Sequence, residues 1–153
     1  MSFLRTYMRL LAMTTVLALI AYSAQAKPRE KDADILGTWT LTKVLDSADV
    51  ASLTDQQAAA LVGKTVVVRR DSIMFNGEPY RAPELTRRRE DAARYMREGY
   101  HARVGYLGLP DTITVIDLDC TEAFLKGKGK IVVFWRGYFF DAIKKPQQVS
   151  SLH

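Results

Sequence analysis

Residues 130–140, Lys-Ile-Val-Val-Phe-Trp-Arg-Gly-Tyr-Phe-Phe, constrain the fold more than any other stretch of this chain. Side chains so rich in β-branching and aromatic rings favour extended backbone, and a run this apolar has to be buried on at least one face. Gly127-Lys128-Gly129 reads as a tight turn leading into it, so a strand near the centre of the core is predicted here. Gly137 in the middle of the run predicts a bulge or bend, a device by which sheets curve.

The rest of the chain supplies companions for that strand. Ile35 to Val44 alternates Trp39 and Leu41 with threonines, as a half-buried first strand does. Thr54 with Gln57 three residues on is a capping box, followed by Ala58 to Val62 and a stop at Gly63, which predicts a short helix. Lys64 to Arg70 and Ser72 to Phe75 are two brief β-prone runs, and Asn76-Gly77 is a tight-turn pair after the second, giving a hairpin-like ladder. Pro79 and Pro83 are expected to interrupt regular structure. Glu84 to Tyr100 is the longest helical candidate, with Leu85, Ala92, Tyr95, Met96 and Tyr100 as its apolar stripe. Gly105, Gly108 and Pro110 mark a loop before a second block of strands at Thr112 to Cys120. The expected fold class is mainly β with two helices (α+β), as a small antiparallel barrel or strongly curved sheet.

The first 26 residues carry an address. Arg5 and Arg9 precede the apolar run Leu10 to Tyr22, and Ala24-Gln25-Ala26 offers small residues where a signal peptidase reads. The apolar run is shorter than the roughly 18 residues a membrane span needs. Residues 1–26 are therefore read as a signal peptide cleaved near Ala26, 27–34 as a flexible lead-in, 35–145 as the β domain and 146–153 as a loose tail. The expected location is periplasmic or secreted, with no membrane span after cleavage. The leader holds two of the bases and no acid, lowering the formal net charge from +5 by two. So modest a surplus falls short of a nucleic-acid argument, and no nucleic-acid partner is expected.

Candidate chemistry is sparse. Cys120 is the only cysteine, so no intramolecular disulfide can form, and its alternation with Ile116 and Leu118 reads as a small buried apolar side chain. A catalytic site would have to recruit His101 with Asp117 or Asp119, but basic neighbours flank the histidine, and two acids on one strand face read as the wet side of a sheet. Lys126 to Lys130 lacks the Gly-Lys-Ser/Thr ending of a phosphate loop and reads as a basic turn. No catalytic residue, metal ligand or cofactor is expected. Arg87, Arg94 and Arg97 form the candidate partner-binding set within an arginine-rich helix, or else a salt-bridged solvent face. Trp39, Trp135, Tyr138 and Phe140 are the candidate ligand-binding set, or else core.

Gly37-Thr38-Trp39, opening the first strand, resembles the Gly-x-Trp start of lipocalin and lipocalin-like domains. A longer likeness, from Leu36 to Lys145, is to a group of small secreted bacterial proteins of lipocalin-like character and no settled activity. Leu61-Val62-Gly63-Lys64, Phe75-Asn76-Gly77, Leu107-Gly108-Leu109, Ile113-Thr114-Val115 with Cys120, and Val133 to Phe140 carry it. The resemblance implies a lipocalin-like barrel. It also implies a cysteine shortly after the Asn-Gly turn as partner for Cys120, where this chain has Glu78, and a late arginine closing the barrel, for which the sequence shows no clear counterpart. The functional expectation is an exported non-enzymatic binding module for a small hydrophobic ligand or a cell-envelope component. The alternative is a periplasmic protein–protein module, such as an inhibitor or accessory factor of an envelope hydrolase.

Overall fold

Short segments with alternating buried and exposed side chains can hide their apolar faces only by pairing, and here nine of them pair into one sheet. The computed structural model describes residues 32–81 and 85–146. In chain order the elements are β1 (Gly37–Ser47), α1 (Asp55–Ala59), β2 (Thr65–Val68), β3 (Ser72–Phe75), β4 (Glu78–Arg81), β5 (Thr86–Asp91), α2 (Ala92–Tyr100), α3 (Val104–Leu107), β6 (Thr112–Asp117), β7 (Glu122–Gly127), β8 (Lys130–Trp135) and β9 (Tyr138–Lys144). The strand order is β4-β3-β2-β1-β9-β8-β7-β6-β5, so two meanders are joined where the first strand pairs with the last. Every neighbouring pair is antiparallel. With nine strands alternating in direction, the edges β4 and β5 run the same way, so no antiparallel pair can close the sheet into a barrel. It is a strongly curved, half-closed sheet.

The curl is measured by one contact. Phe75 on β3 stacks on Trp135 of β8 with centroids 4.0 Å apart and planes 10° apart. Three strands separate them in the sheet, which in a flat array would be about 19 Å at normal strand spacing. Two register shifts in the β1–β9 ladder, between Leu41 and Lys43 and between Val44 and Asp46, add residues on β1 and bend it. Trp39, Leu41, Val66, Ile73, Ile116 and Val133 are among the side chains filling the concave face. On the other face Met96 and Leu107, from α2 and α3, pack over Val115, Phe124, Val132 and Phe139.

Several sequence expectations change in detail. The run 130–140 is two strands rather than one bent strand: Arg136 (φ 49°) and Gly137 (φ 94°) form a two-residue turn of the positive-φ type that hairpins favour. Arginine is an uncommon first residue for such a turn, which hid it. The segment Thr86–Asp91 is an edge strand paired residue by residue with β6, from Thr86 opposite Asp117 to Asp91 opposite Thr112, so the long helix shrinks to α2. The helix preference of Arg and Glu is worth only tenths of a kcal/mol per residue, and a ladder overrides it. Leu85, assigned to the helical stripe, instead packs against the concave-face cluster. Pro79 lies inside β4 opposite Met74, tolerated because β4 is an edge whose outer side needs no donor. Finally, the loop around Gly105 contains the single-turn helix α3, a third helix.

The capping box is present as expected: the Thr54 hydroxyl accepts from the Gln57 amide at 3.3 Å and the Gln57 side chain accepts from the Thr54 amide at 2.8 Å. Asn76 and Gly77 both have positive φ and join β3 to β4.

Gly137 is required twice over, by its backbone conformation and by space. A Cβ there would lie 2.3 Å from the Ala51 Cα, because residues 48–52 are drawn onto the hairpin by hydrogen bonds from Ala48 N–H to Gly137 O (2.8 Å) and from Ser52 N–H to Arg136 O (3.0 Å). Gly137→Ala is expected to lose stability beyond the roughly 1–3 kcal/mol of the strained conformation alone. Gly129→Ala, at φ 69° with no atom closer than 4.0 Å, should lose only that strain. Urea denaturation of both variants checks the difference; equal losses would remove the close approach from the account.

Candidate functional site

The four aromatics proposed as ligand contacts all belong to the concave-face cluster. Trp39 is 1% exposed, Trp135 and Tyr138 are each 7% and Phe140 is 0%. Trp39 Nε1 donates to the Ile35 carbonyl at 2.8 Å, so the indole is satisfied by its own strand's lead-in. Trp135 is covered by Phe75 and, edge-on at 5.3 Å, by Tyr80 from the edge strand β4. The Tyr138 hydroxyl donates to Asp55 Oδ1 at 2.6 Å, tying α1 to the start of β9, and that bond holds its pKa above the usual phenol value. Cations lie over both indoles: Arg136 is 5.5 Å from the Trp135 ring and Lys144 5.3 Å from the Trp39 ring. Burial lowers the Lys144 pKa, while its ammonium donates to the carbonyls of Ala33 (2.8 Å) and Asp34 (3.1 Å).

The three arginines do not share a surface element. Arg87 stands on β5 and is gripped by the chain's lead-in: its Nε donates to Asp32 Oδ1 at 2.6 Å, and its two terminal nitrogens donate to Asp34 at 2.9 and 2.6 Å. The fork-on-carboxylate geometry is the strong form of an ion pair. Residues 32–34, the described end of the lead-in, form a turn in which the Ile35 and Leu36 amides both donate to the Asp32 carbonyl. The rest of the lead-in and residues 1–26, read above as a signal peptide, lie outside the described residues. Arg94 and Arg97 sit on α2, 59% and 70% exposed, with only distant acid partners at 3.7 Å, Glu90 and Glu98 respectively.

One cluster was not visible in the sequence. Glu122, at the start of β7, accepts from Arg88 of β5 and from both Tyr95 and Tyr100 of α2, the Tyr95 contacts being 2.9 Å. Arg88 also donates to the Tyr95 hydroxyl, which is the main reason its pKa is raised. Burial, and then the Glu122 carboxylate, push Tyr100 far above its usual value, and burial raises Tyr95 too. Both phenols therefore stay protonated as donors. The glutamate has every donor it needs and the group reads as a latch holding α2 to the sheet. No local spacing signals it, because Glu122 lies 22 to 34 residues along the chain from its three donors.

The remaining candidates have structural partners. His101 caps α2 in a left-handed conformation, exposed, with Nδ1 3.9 Å from Asp49. Asp117 accepts the Asp119 amide at 2.8 Å, closing the turn after β6 rather than presenting a second acid on the same strand face. Cys120 is half-buried against the concave-face cluster, and burial, followed by the charges of Asp119 and Asp117, raises its pKa. Among the described residues no three His, Cys, Asp or Glu side chains converge as a metal site, and no helix is long and apolar enough to cross a membrane. Compared with family models, curated proteins and solved structures, the chain matches none.

Two measurements test these assignments. Arg87 holds the Asp34 carboxyl below its ordinary value of 3.8, so its contribution to stability is present above that pH and is lost as pH falls through the lower folded value. Arg87→Ala should therefore narrow its stability gap from the parent below about pH 4; a gap that stays constant down to pH 2 would contradict the pairing. Cys120, shielded and with a raised pKa, should react with a neutral thiol reagent at least about tenfold more slowly in the folded protein at pH 7 than in urea. Equal rates would place the thiol in solvent.

Proposed function

We propose that this chain is an exported, non-enzymatic binding module that recognises a component of the cell envelope through its outer surface. One observation carries the choice of surface over interior: the space enclosed by the curl, where a small hydrophobic ligand would sit, is occupied by Trp39, Phe75, Trp135 and Phe140 packed against one another's strands. The lipocalin-like reading gains support from Lys144, which puts a late cation over the tryptophan of Gly37-Thr38-Trp39, the place for which the sequence offered no arginine. Export rests on residues 1–26 alone.

The protein–protein alternative, an inhibitor or accessory factor, is favoured by a different feature. Val50 is 84% exposed at the tip of a loop pinned to the β8–β9 turn by two backbone hydrogen bonds. A rigid apolar tip is suited to entering a partner's pocket with little ordering cost. Of the candidate partner-binding residues, Arg94 and Arg97 remain solvent-facing for this role, whereas Arg87 is committed to Asp32 and Asp34.

Thermal denaturation in the presence of cell-wall fragments, lipid headgroup analogues and long-chain fatty acids separates the readings. Binding at [L] of about 100 times Kd stabilises by roughly 2.7 kcal/mol, a shift of several degrees for a domain of this size. A shift with an envelope fragment and none with fatty acids is expected. A saturable shift with fatty acids would put the ligand inside the curl and overturn the surface reading.

A further inference from the structure

The connections at one end of the sheet gather positive charge that the sequence scatters from Arg69 to Lys145. β2 ends, β1 begins, β9 ends and β8 begins at this end, and the four are neighbours in the sheet. Gly37 lies opposite Val68, just before Arg69 and Arg70; the Lys145 amide donates to the Thr38 carbonyl at 2.8 Å; the Lys144 amide donates to the Gly129 carbonyl at 2.9 Å; and Lys130 lies opposite Ile143. Arg69, Arg70, Lys128, Lys130 and Lys145 are exposed here; the acids of these connections are Asp71 and, in the segment entering β1, Asp32 and Asp34, which are paired with Arg87. Apolar surface accompanies the charge. Ile143 is 44% exposed beside Lys130, and Leu36 and Val67 line a shallow depression of about 610 Å³ rimmed by Arg69, Arg70 and Asp71. The turns and connections at the opposite end carry Asp49, Asp55, Glu78, Asp117 and Asp119 against the bases Lys64 and Arg136.

We propose that this basic end docks on the surface of an anionic phospholipid bilayer. The inference rests on the envelope-binding reading above and names the partner and the surface. Phosphate headgroups supply the complementary charge, and Ile143 and the Leu36–Val67 depression supply apolar area for the interfacial layer. Each basic side chain near such a surface strengthens binding about fivefold, an effect confined to within a Debye length of about 8 Å at physiological salt.

Co-sedimentation of the chain spanning residues 27–153 with vesicles of equal phosphatidylglycerol and phosphatidylcholine, and with phosphatidylcholine alone, tests it. Binding to the mixed vesicles only, weakened by raising salt, is expected. Lys128→Gln, Lys130→Gln and Lys145→Gln together should reduce that binding by roughly a hundredfold, and Lys128→Glu, Lys130→Glu and Lys145→Glu together by a larger factor. The same change of charge at Lys43, Lys64 and Arg103 should leave most of it intact, and circular dichroism reports whether each variant is folded. Equal losses from the two sets of Glu substitutions, equal binding to pure phosphatidylcholine, or binding of duplex DNA with none to vesicles would overturn the proposal. Because the vesicles contain lipid alone, their failure leaves recognition of a cell-wall fragment, read by thermal shift, standing.

Discussion

The ladder between β1 and β9 holds the two halves of this protein together, and the buried concave face exists only once it has formed. β1 to β4 and β5 to β9 are each meanders built from neighbours in sequence. Separately each would leave one apolar face in water. Pairing Trp39 with Lys144 and Ser47 with Tyr138 closes a chain separation of about a hundred residues and makes the concave side possible. Such long-range pairing costs loop entropy before any packing returns it, which makes it a late and slow contact in folding. The two bulges on β1 sit in this same ladder, so the joint is also the place where the sheet bends.

Curvature then decides what the interior can do. Bringing Phe75 onto Trp135 consumes the space that a wider barrel would leave for a ligand, and the stacked rings together with Tyr80 seal the half that lies toward the β4 edge. The opposite edge is guarded differently. β5 carries Arg87, Arg88, Arg89, Glu90 and Asp91, and a charged edge strand resists pairing with another chain. Arg87 and Arg88 reach opposite sides of that strand, one to the lead-in acids and one to the Glu122 latch, so a single edge element anchors both the entry of the chain and the helix that covers the convex face. The exposed features lie at the periphery: the pinned Val50 loop, the arginines of α2 and the charged strand ends.

Much of the fold was legible in residue patterns, and the places where it was not have specific causes. Trp39 and Leu41 alternating with threonines, the Thr54–Gln57 box and the Asn76-Gly77 turn each depend on backbone and side chains within a few positions, so their chemistry is written locally. Arg136-Gly137 is the same kind of turn made from a less usual residue pair, and its apolar flanks read as one strand because nothing in them marks the reversal. Residues 86–91 failed for another reason: their helix preference is weak and their partner, β6, lies more than twenty residues away. The Glu122 latch, the Arg87 grip on Asp32 and Asp34, and the cation over Trp39 all join elements remote in sequence. No spacing rule reaches them.

By itself, then, the sequence determined that this is a mainly β chain with some helix, without an intramolecular disulfide, and with its most apolar run in the core, because burial of β-branched and aromatic side chains follows from composition and alternation. Only the tertiary structure decided that the curl is filled, that Arg87 serves the lead-in while Arg94 and Arg97 face solvent, and that basic residues scattered from Arg69 to Lys145 meet at one end. Those outcomes depend on strand order and on the direction in which each strand runs, and a long-range hydrogen-bond ladder sets both without leaving any mark within a short window of residues.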